Sequence, residues 1–284
     1  MSENWKIYAF ADEASPELDG QIAALQRNKL LGPELRGVNG KSVTELTADE
    51  AREVRRRLDD AGLTVWSLGS PIGKITLDDD FEAHLELLRH TLELGNILGA
   101  EAIRLFSFYP GEGQRIEDCF GQVGERMGRM LDVIADSGIL PCHENEKGIF
   151  GYNADGCLKL HKTFPALQAV FDPANFIQSG QATLPAWEQL HEYVAYFHVK
   201  DAFADGSVVP AGCGEGHVEE LLRAYREQGG YRLTVEPHLT VFDGLKALER
   251  AGEESAVGRR YSYPSADAAF DAATTALRGI LAAF

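Results

Sequence analysis

Four short runs in the second half of the chain carry side chains suited to a hard metal ion. They are His143-Glu144-Asn145-Glu146, Asp172-Pro173-Ala174-Asn175, His198-Val199-Lys200-Asp201 and Glu236-Pro237-His238. Taken singly, each has an ordinary explanation. Asp172 and Glu236, each before a proline, read as helix caps or halves of salt bridges, and His198, after two aromatics, reads as a satisfied core histidine. Taken together they are harder to dismiss, because three carboxylates held close would repel and raise one another's pKa unless a cation joined them. The expected donor set is Glu144, Asp172, His198 and Glu236 around one divalent ion. Three carboxylates and one imidazole suit Mn²⁺ first, then Mg²⁺ or Co²⁺, with Zn²⁺ also compatible.

Such residues must be brought to one place by the elements that carry them. Short β-rich apolar runs alternate with helix-period segments along the whole chain. The expected strands are Lys6–Asp12, Gly32–Val38, Thr64–Leu68, Ala102–Phe106, Leu140–Glu144, Leu167–Asp172, Tyr196–Lys200 and Arg232–Glu236. The clearest amphipathic stretches are Pro16–Arg27, Ala48–Ala61, Phe81–Leu98, Ile116–Ile134, Val218–Glu227 and Ala266–Leu281, with Ser15 placed to cap before Pro16 and Thr47–Glu50 as a capping box. Eight alternating units of about 35 residues predict a parallel α/β fold. No glycine-rich turn follows the first strand, so a (β/α)8 TIM barrel is favoured over an open doubly wound sheet. No linker divides the chain, and residues 1–284 are expected to form one domain. In a barrel, polar residues at strand ends point into the catalytic mouth, and the long connections 201–214 and 237–267 would lie over it as lids.

The chain has 284 residues, and its net charge of −17, from 27 basic against 44 acidic residues, argues against nucleic acid or an anionic membrane as partner. No apolar run is long enough for a membrane span, no export signal is evident, and Cys119, Cys142, Cys157 and Cys213 show no C-x-x-C spacing. A cytoplasmic protein with free thiols is expected. A homo-oligomer is allowed by this reading.

The Glu…Asp…His…Glu series, with Glu144-Asn145, Phe171-Asp172-Pro173 and His198-Val199-Lys200-Asp201, resembles the xylose-isomerase-like (AP endonuclease 2-type) TIM barrels. Ser70-Pro71-Ile72-Gly73-Lys74, His143-Glu144-Asn145-Glu146-Lys147-Gly148 and Val235-Glu236-Pro237-His238-Leu239 resemble a branch described as sugar phosphate isomerase/epimerase. The resemblance implies one divalent ion on Glu144, Asp172, His198 and Glu236, with the two glutamates also acting as acid and base. Epimerases of the family commonly carry a histidine three residues after the metal-binding aspartate, where this chain has Asn175.

Other strand-end residues suit a polyol. Arg36, Lys74, Arg104, Lys147, Asn175, Lys200 and His238 are expected substrate contacts, with Glu13, Glu34 and Asp201 as further polar groups and Trp66, Phe106, Phe108 and Phe176 as apolar faces. Glu146 is expected to pair with Lys147. As a set these residues predict a cationic mouth inside an acidic protein, fitting a small anionic sugar. Proton transfer through an enediolate would give sugar or keto-sugar isomerisation or epimerisation. The alternatives are a lyase or dehydratase on an inosose or 3-keto-glycoside, an endonuclease IV-like phosphodiesterase, and a non-catalytic sugar-binding barrel.

Overall fold

A computed structural model describes residues 5–242, 257–258 and 260–284. Seven parallel strands form its central sheet: β1 (Lys6–Ala9), β2 (Ser67–Leu68), β3 (Ala102–Leu105), β4 (Leu140–Glu144), β5 (Gln168–Phe171), β6 (Val194–Val199) and β7 (Arg232–Val235). The hydrogen-bonded order is β1-β7-β6-β5-β4-β3-β2. β1 pairs with β7, so the sheet curls into a ring with one gap, between β1 and β2.

The expected strand Gly32–Val38 fills that gap only in part. Pro33 bridges to Ala9 and Leu35 to Leu68, both parallel. Glu34 N donates to Ala9 O at 3.0 Å, Leu35 N to Ser67 O at 2.9 Å and Gly69 N to Leu35 O at 2.9 Å. Pro33 has no N–H to offer, so the stave is held by single bridges rather than a full ladder. Gly37–Val38 leaves the barrel and forms an antiparallel hairpin with Lys41–Ser42.

Helices α1 (Leu18–Arg27), α2 (Ala48–Asp60), α3 (Phe81–Leu98), α4 (Phe120–Ile134), α5 (Ala154–Thr163), α6 (Pro173–Gln178), α7 (Thr183–Leu190), α8 (Val218–Glu227) and α9 (Ala266–Leu281) alternate with the strands. The Thr47–Glu50 capping box is formed. The first helix begins two residues later than expected: Glu17 is its N-cap, and the Ser15 hydroxyl accepts from Glu17 N instead. A 3-10 turn at Ile116–Asp118 separates from α4 what the sequence reads as one helix. Of the expected long connection 237–267, residues 243–256 and 259 lie outside the described residues, as do Met1–Asn4. No described helix is long and apolar enough to cross a membrane, and all four cysteines are unpaired.

Strand alternation sorts the side chains into two environments. Phe171, Phe197, Leu105 and Leu233 face outward into the layer between sheet and helices. Tyr8, Trp66, Ala102, Cys142, Val170 and Tyr196 fill the lower barrel interior, where the Arg232 guanidinium lies 3.9 Å from the Trp66 ring. Two positions further along the same strands come Phe10, Arg104, Glu144, Asp172 and His198, so the polar mouth sits directly on an aromatic floor.

Three histidines are buried outside the mouth. His143 faces the helical layer, 6.0 Å from the His161 ring, and His84 Nε2 accepts from Gly73 N at 2.9 Å. That bond anchors the loop before Lys74, where Gly73 has φ +92° and a Cβ would meet Phe106 O at 2.0 Å. Burial lowers all three, His143 to about 3 and His84 and His161 to about 4. Each therefore binds its proton more readily unfolded, and stability should fall as pH drops from about 6.5 toward 4. His84→Gln keeps an acceptor for Gly73 N but removes the titration. Denaturant unfolding at pH 7 and pH 5 should show the variant losing about 1–2 kcal/mol less than the wild type between the two; equal losses would contradict this.

Candidate metal centre

Glu144 closes β4, Asp172 and Glu236 directly follow β5 and β7, and His198 lies one residue from the end of β6. Their inward parity brings one ligand atom from each within 4.8 Å of all the others, and all four residues are buried. His198 Nδ1 lies 2.9 Å from Glu144 Oε1 and 3.6 Å from Glu236 Oε2. Ligands on opposite sides of a divalent ion at about 2.1–2.2 Å would be about 4.2–4.4 Å apart, so the cluster is already close to the size an ion requires.

These side chains are aimed by neighbours. His198 Nε2 lies 3.1 Å from Glu34 Oε2, and Glu34 also accepts from the Tyr196 hydroxyl at 2.9 Å and the Thr234 hydroxyl at 2.8 Å. This fully buried carboxylate fixes the imidazole so that Nδ1 faces the cluster. Asp172 divides its oxygens: Oδ1 caps α6 by accepting from Asn175 N at 2.9 Å, while Oδ2 faces Lys200 Nζ at 2.9 Å. The Asn145 amide clasps the Asp172 backbone, donating to its carbonyl and accepting from its N–H, both at 2.9 Å.

The electrostatics are those of a buried cluster that needs cations. Burial opposes ionisation of Glu144, but His198 and Arg104 outweigh it and hold the group down to about 2. Glu236 is likewise held well below the usual range, with Lys200, His238 and His198 overcoming burial. Asp172 goes the other way, pushed up to about 8 by burial and by Glu236 and Glu144 against the pull of Lys200. Burial favours the neutral His198, yet Glu144 and Glu34 raise it to about 10. Glu144 Oε2 and Asp172 Oδ2 are buried without hydrogen bonds, each facing only a cation, Arg104 at 3.2 Å and Lys200 at 2.9 Å. These two orphaned oxygens, the hard donor set and the spacing all fit a divalent ion.

The remaining expected residues divide clearly. Lys200 bridges Asp172 and Glu236, the latter at 3.0 Å. Asn175 Nδ2 donates to Glu144 Oε1 at 3.2 Å. Arg104 contacts Glu144 and donates to Gly69 O at 2.9 Å. Arg36 binds Asp12 through two bonds of 2.8 and 3.0 Å and Glu13 at 3.0 Å, between the Phe10 and Phe242 rings. His238 Nδ1 lies 3.0 Å from Glu13. Lys74 lies over the Phe106 ring.

Several expectations are corrected. Lys74, at 2.7 Å, is the cation paired with Glu146, in place of Lys147, and Lys147 is exposed on the connection after β4. The Asp201 carboxylate is taken up by the backbone, accepting from Ala202, Gly212, Gly214 and Gly216 N–H groups, each at 2.9 Å, and ties down the following loop. Trp66 belongs to the barrel floor, and Phe108 and Phe176 to the core. Glu34 is buried, and its oxygens meet His198, Tyr196 and Thr234. Sequence reasoning named Asn145 only as part of the Glu144-Asn145 motif, without a role, and did not single out Asp12. Their polarity at strand ends was visible, but their partners lie on other strands.

The xylose isomerase-like TIM barrel family model matches residues 32–259. This chain belongs to that family. No curated protein shows significant sequence similarity to it. Among solved structures, the barrel is similar to the probable 3-DHS dehydratase AsbF, involved in petrobactin synthesis, from Bacillus anthracis, at TM-score 0.73 and 15% identity, covering 96% of this chain and 98% of the other. It is also similar to the IOLI protein with a bound zinc atom, at TM-score 0.73 and 14% identity, covering 98% of each chain. The third is the apo 3-keto-D-glucoside 4-epimerase YcjR from E. coli, at TM-score 0.66 and 15% identity, covering 97% and 98%.

The Glu34–His198 contact gives this site a direct test. Glu34→Gln preserves shape but removes the charge behind the imidazole, and should weaken Mn²⁺ binding about 10–100-fold in calorimetric titration. Wild-type affinity in that variant would show that Glu34 does not orient a ligand.

Proposed function

We propose that this chain is a divalent-metal-dependent enzyme that isomerises or epimerises a sugar or keto-sugar by proton transfer. The whole length would serve one barrel domain working in the cytoplasm. The observation that carries this reading is the convergence of Glu144, Asp172, His198 and Glu236 within 4.8 Å, buried at the C-terminal ends of four consecutive strands. Membership of the family and the epimerase among the similar structures support it.

When bound there, a divalent ion supplies positive charge that stabilises an enediolate and so makes a proton beside a carbonyl removable. The rest falls to the chain's own residues. Glu144 and Glu236 flank His198 Nδ1 and are both ionised, so each carries an unprotonated oxygen at the mouth. Arg104 and Asn175 hold Glu144, while Lys200 and Arg36 hold Glu236, fixing the aim of both. One glutamate takes a carbon-bound proton and becomes the acid. Delivery to the adjacent carbon, with the neighbouring hydroxyl proton passed to the former carbonyl oxygen, isomerises the substrate, whereas epimerisation requires removal and return on opposite faces and therefore both glutamates. Mn²⁺ is the preferred ion for this oxygen-rich set.

An endonuclease IV-like reaction is poorly served, since His198 and His238 are the histidines of the mouth among the described residues. His84, His90 and His161 sit on the outer helices.

Glu236→Gln tests the scheme. It keeps shape and one ligand oxygen, should retain manganese in part, and should lose turnover by roughly 10²–10⁴-fold. Exchange of the substrate's carbon-bound hydrogen with deuterated solvent should stop if Glu236 is the first base. Exchange that persists without product would assign that step to Glu144. Wild-type conversion with full retention of the label would instead require a hydride shift between carbons, and the proposal would fall. Loss of water in the product would convert the reading to a dehydratase on the same intermediate.

A further inference from the structure

A cavity of about 440 Å³ opens beside the cluster, its wall including Asp12, Arg36, Lys41, Ser42, Thr44 and Arg104. It is built from the connections after β1, the Pro33–Leu35 stave and β2, together with Arg104 of β3. These belong to the half of the barrel that does not supply the four ligand residues. Arg36 and Arg104 stand between the two halves, 3.4 Å from Glu236 and 3.2 Å from Glu144 respectively. The volume lies within the range of small-molecule sites.

Resting on the proton-transfer reading above, we propose that the substrate of this cavity is an uncharged sugar or glycoside, carrying neither phosphate nor carboxylate. The cations around it are already paired. Arg36 spends Nε and Nη2 on Asp12 and Glu13 and turns Nη1 to Glu236. Both its faces are covered, by Phe10 at 4.3 Å and Phe242 at 4.7 Å. Arg104 spends Nη2 and Nε on Gly69 O and Ser70 O and turns Nη1 to Glu144. Lys41 pairs with Glu50, Lys74 with Glu146, and Lys200 with Asp172 and Glu236. These cations, in or around the cavity among the described residues, all already face carboxylates.

A phosphate presents only acceptors and negative charge. To bind here it would have to displace a carboxylate from Arg36, Arg104 or the more exposed Lys41 and lie against Asp12. A sugar hydroxyl is donor and acceptor at once, and a closed Asp12–Arg36 pair offers an acceptor beside a donor. Ser42 and Thr44, whose hydroxyls are 3.0 Å apart, extend the same kind of surface. The mouth that reads as cationic from its strand-end residues is therefore matched to vicinal hydroxyls.

The test uses the full-length, manganese-loaded protein in deuterated buffer with matched pairs of sugars. Free ketohexoses and 3-keto-glycosides are compared with their phosphate monoesters. Neutral members should incorporate deuterium at least about 100-fold faster than the esters. Faster exchange of an ester would overturn the substrate class and leave the proton-transfer reading standing. Absence of exchange from every compound would remove that reading, and thermal unfolding with ketohexose or inorganic phosphate then decides the class by ligand stabilisation. A rise in Tm with the sugar and none with phosphate supports the proposal. A rise with phosphate, or none with any neutral sugar, overturns it.

Discussion

Burying several carboxylates against one another is the constraint to which the upper half of this barrel answers. Glu144, Asp172 and Glu236 share a space a few ångströms across with His198, almost wholly removed from solvent. Uncompensated buried charge costs far more than a domain's net stability allows. Compensation comes from Arg104 on one side, Lys200 across the middle and Arg36 on the other side. Aspartate and glutamate respond differently to the same surroundings. The two glutamates reach cations and stay ionised, while Asp172, with Lys200 as its nearest positive charge, is the group driven toward its neutral form. In this balance Arg104, Lys200 and Arg36 hold the carboxylates in place, and the cluster has the donor set of a site that could bind a metal ion in exchange for protons.

The same interactions reach into the closure of the barrel. Its weakest seam is the Gly32–Leu35 stave, where Pro33 removes a backbone donor and single bridges join the neighbouring strands. Glu34 stands on that seam and takes hydrogen bonds from Tyr196 and Thr234 while meeting His198, so side chains inside the barrel supply attachments that the ladder lacks. The orientation of His198 and the integrity of the ring thus both involve one buried carboxylate. Below it, Trp66 and Tyr196 pack edge to face, with ring centroids 5.6 Å apart, giving the polar layer a rigid aromatic floor.

Function and scaffold also share atoms at Asp172 and Asp201. Asp172 caps α6 with one oxygen and keeps the other for the cluster, so helix start and ligand position are a single geometric decision. Asp201, one residue beyond Lys200, turns away into four backbone N–H groups and anchors the loop that follows β6. Adjacent residues at a strand end therefore serve opposite ends, Lys200 facing the mouth and Asp201 holding its rim.

The amino-acid sequence by itself determined the alternation of strands and helices, and with it the barrel. It also determined which side chains stand at strand ends and point inward, because strand parity and amphipathic periodicity are local properties. Glu144, Asp172, His198 and Glu236 were legible for that reason, as was the capping box at Thr47. Partner choice was decided only by the tertiary structure. Glu34 meets His198, Arg36 meets Asp12 and Glu13, and Lys74 meets Glu146 because ring closure carries distant strands side by side. A charged residue's role depends on what neutralises it, and that neighbour is set by distance in space. The cationic mouth expected from the strand-end residues became a surface of closed ion pairs through contacts that no local pattern encodes, while the missing N–H of Pro33 left an expected strand with two bridges.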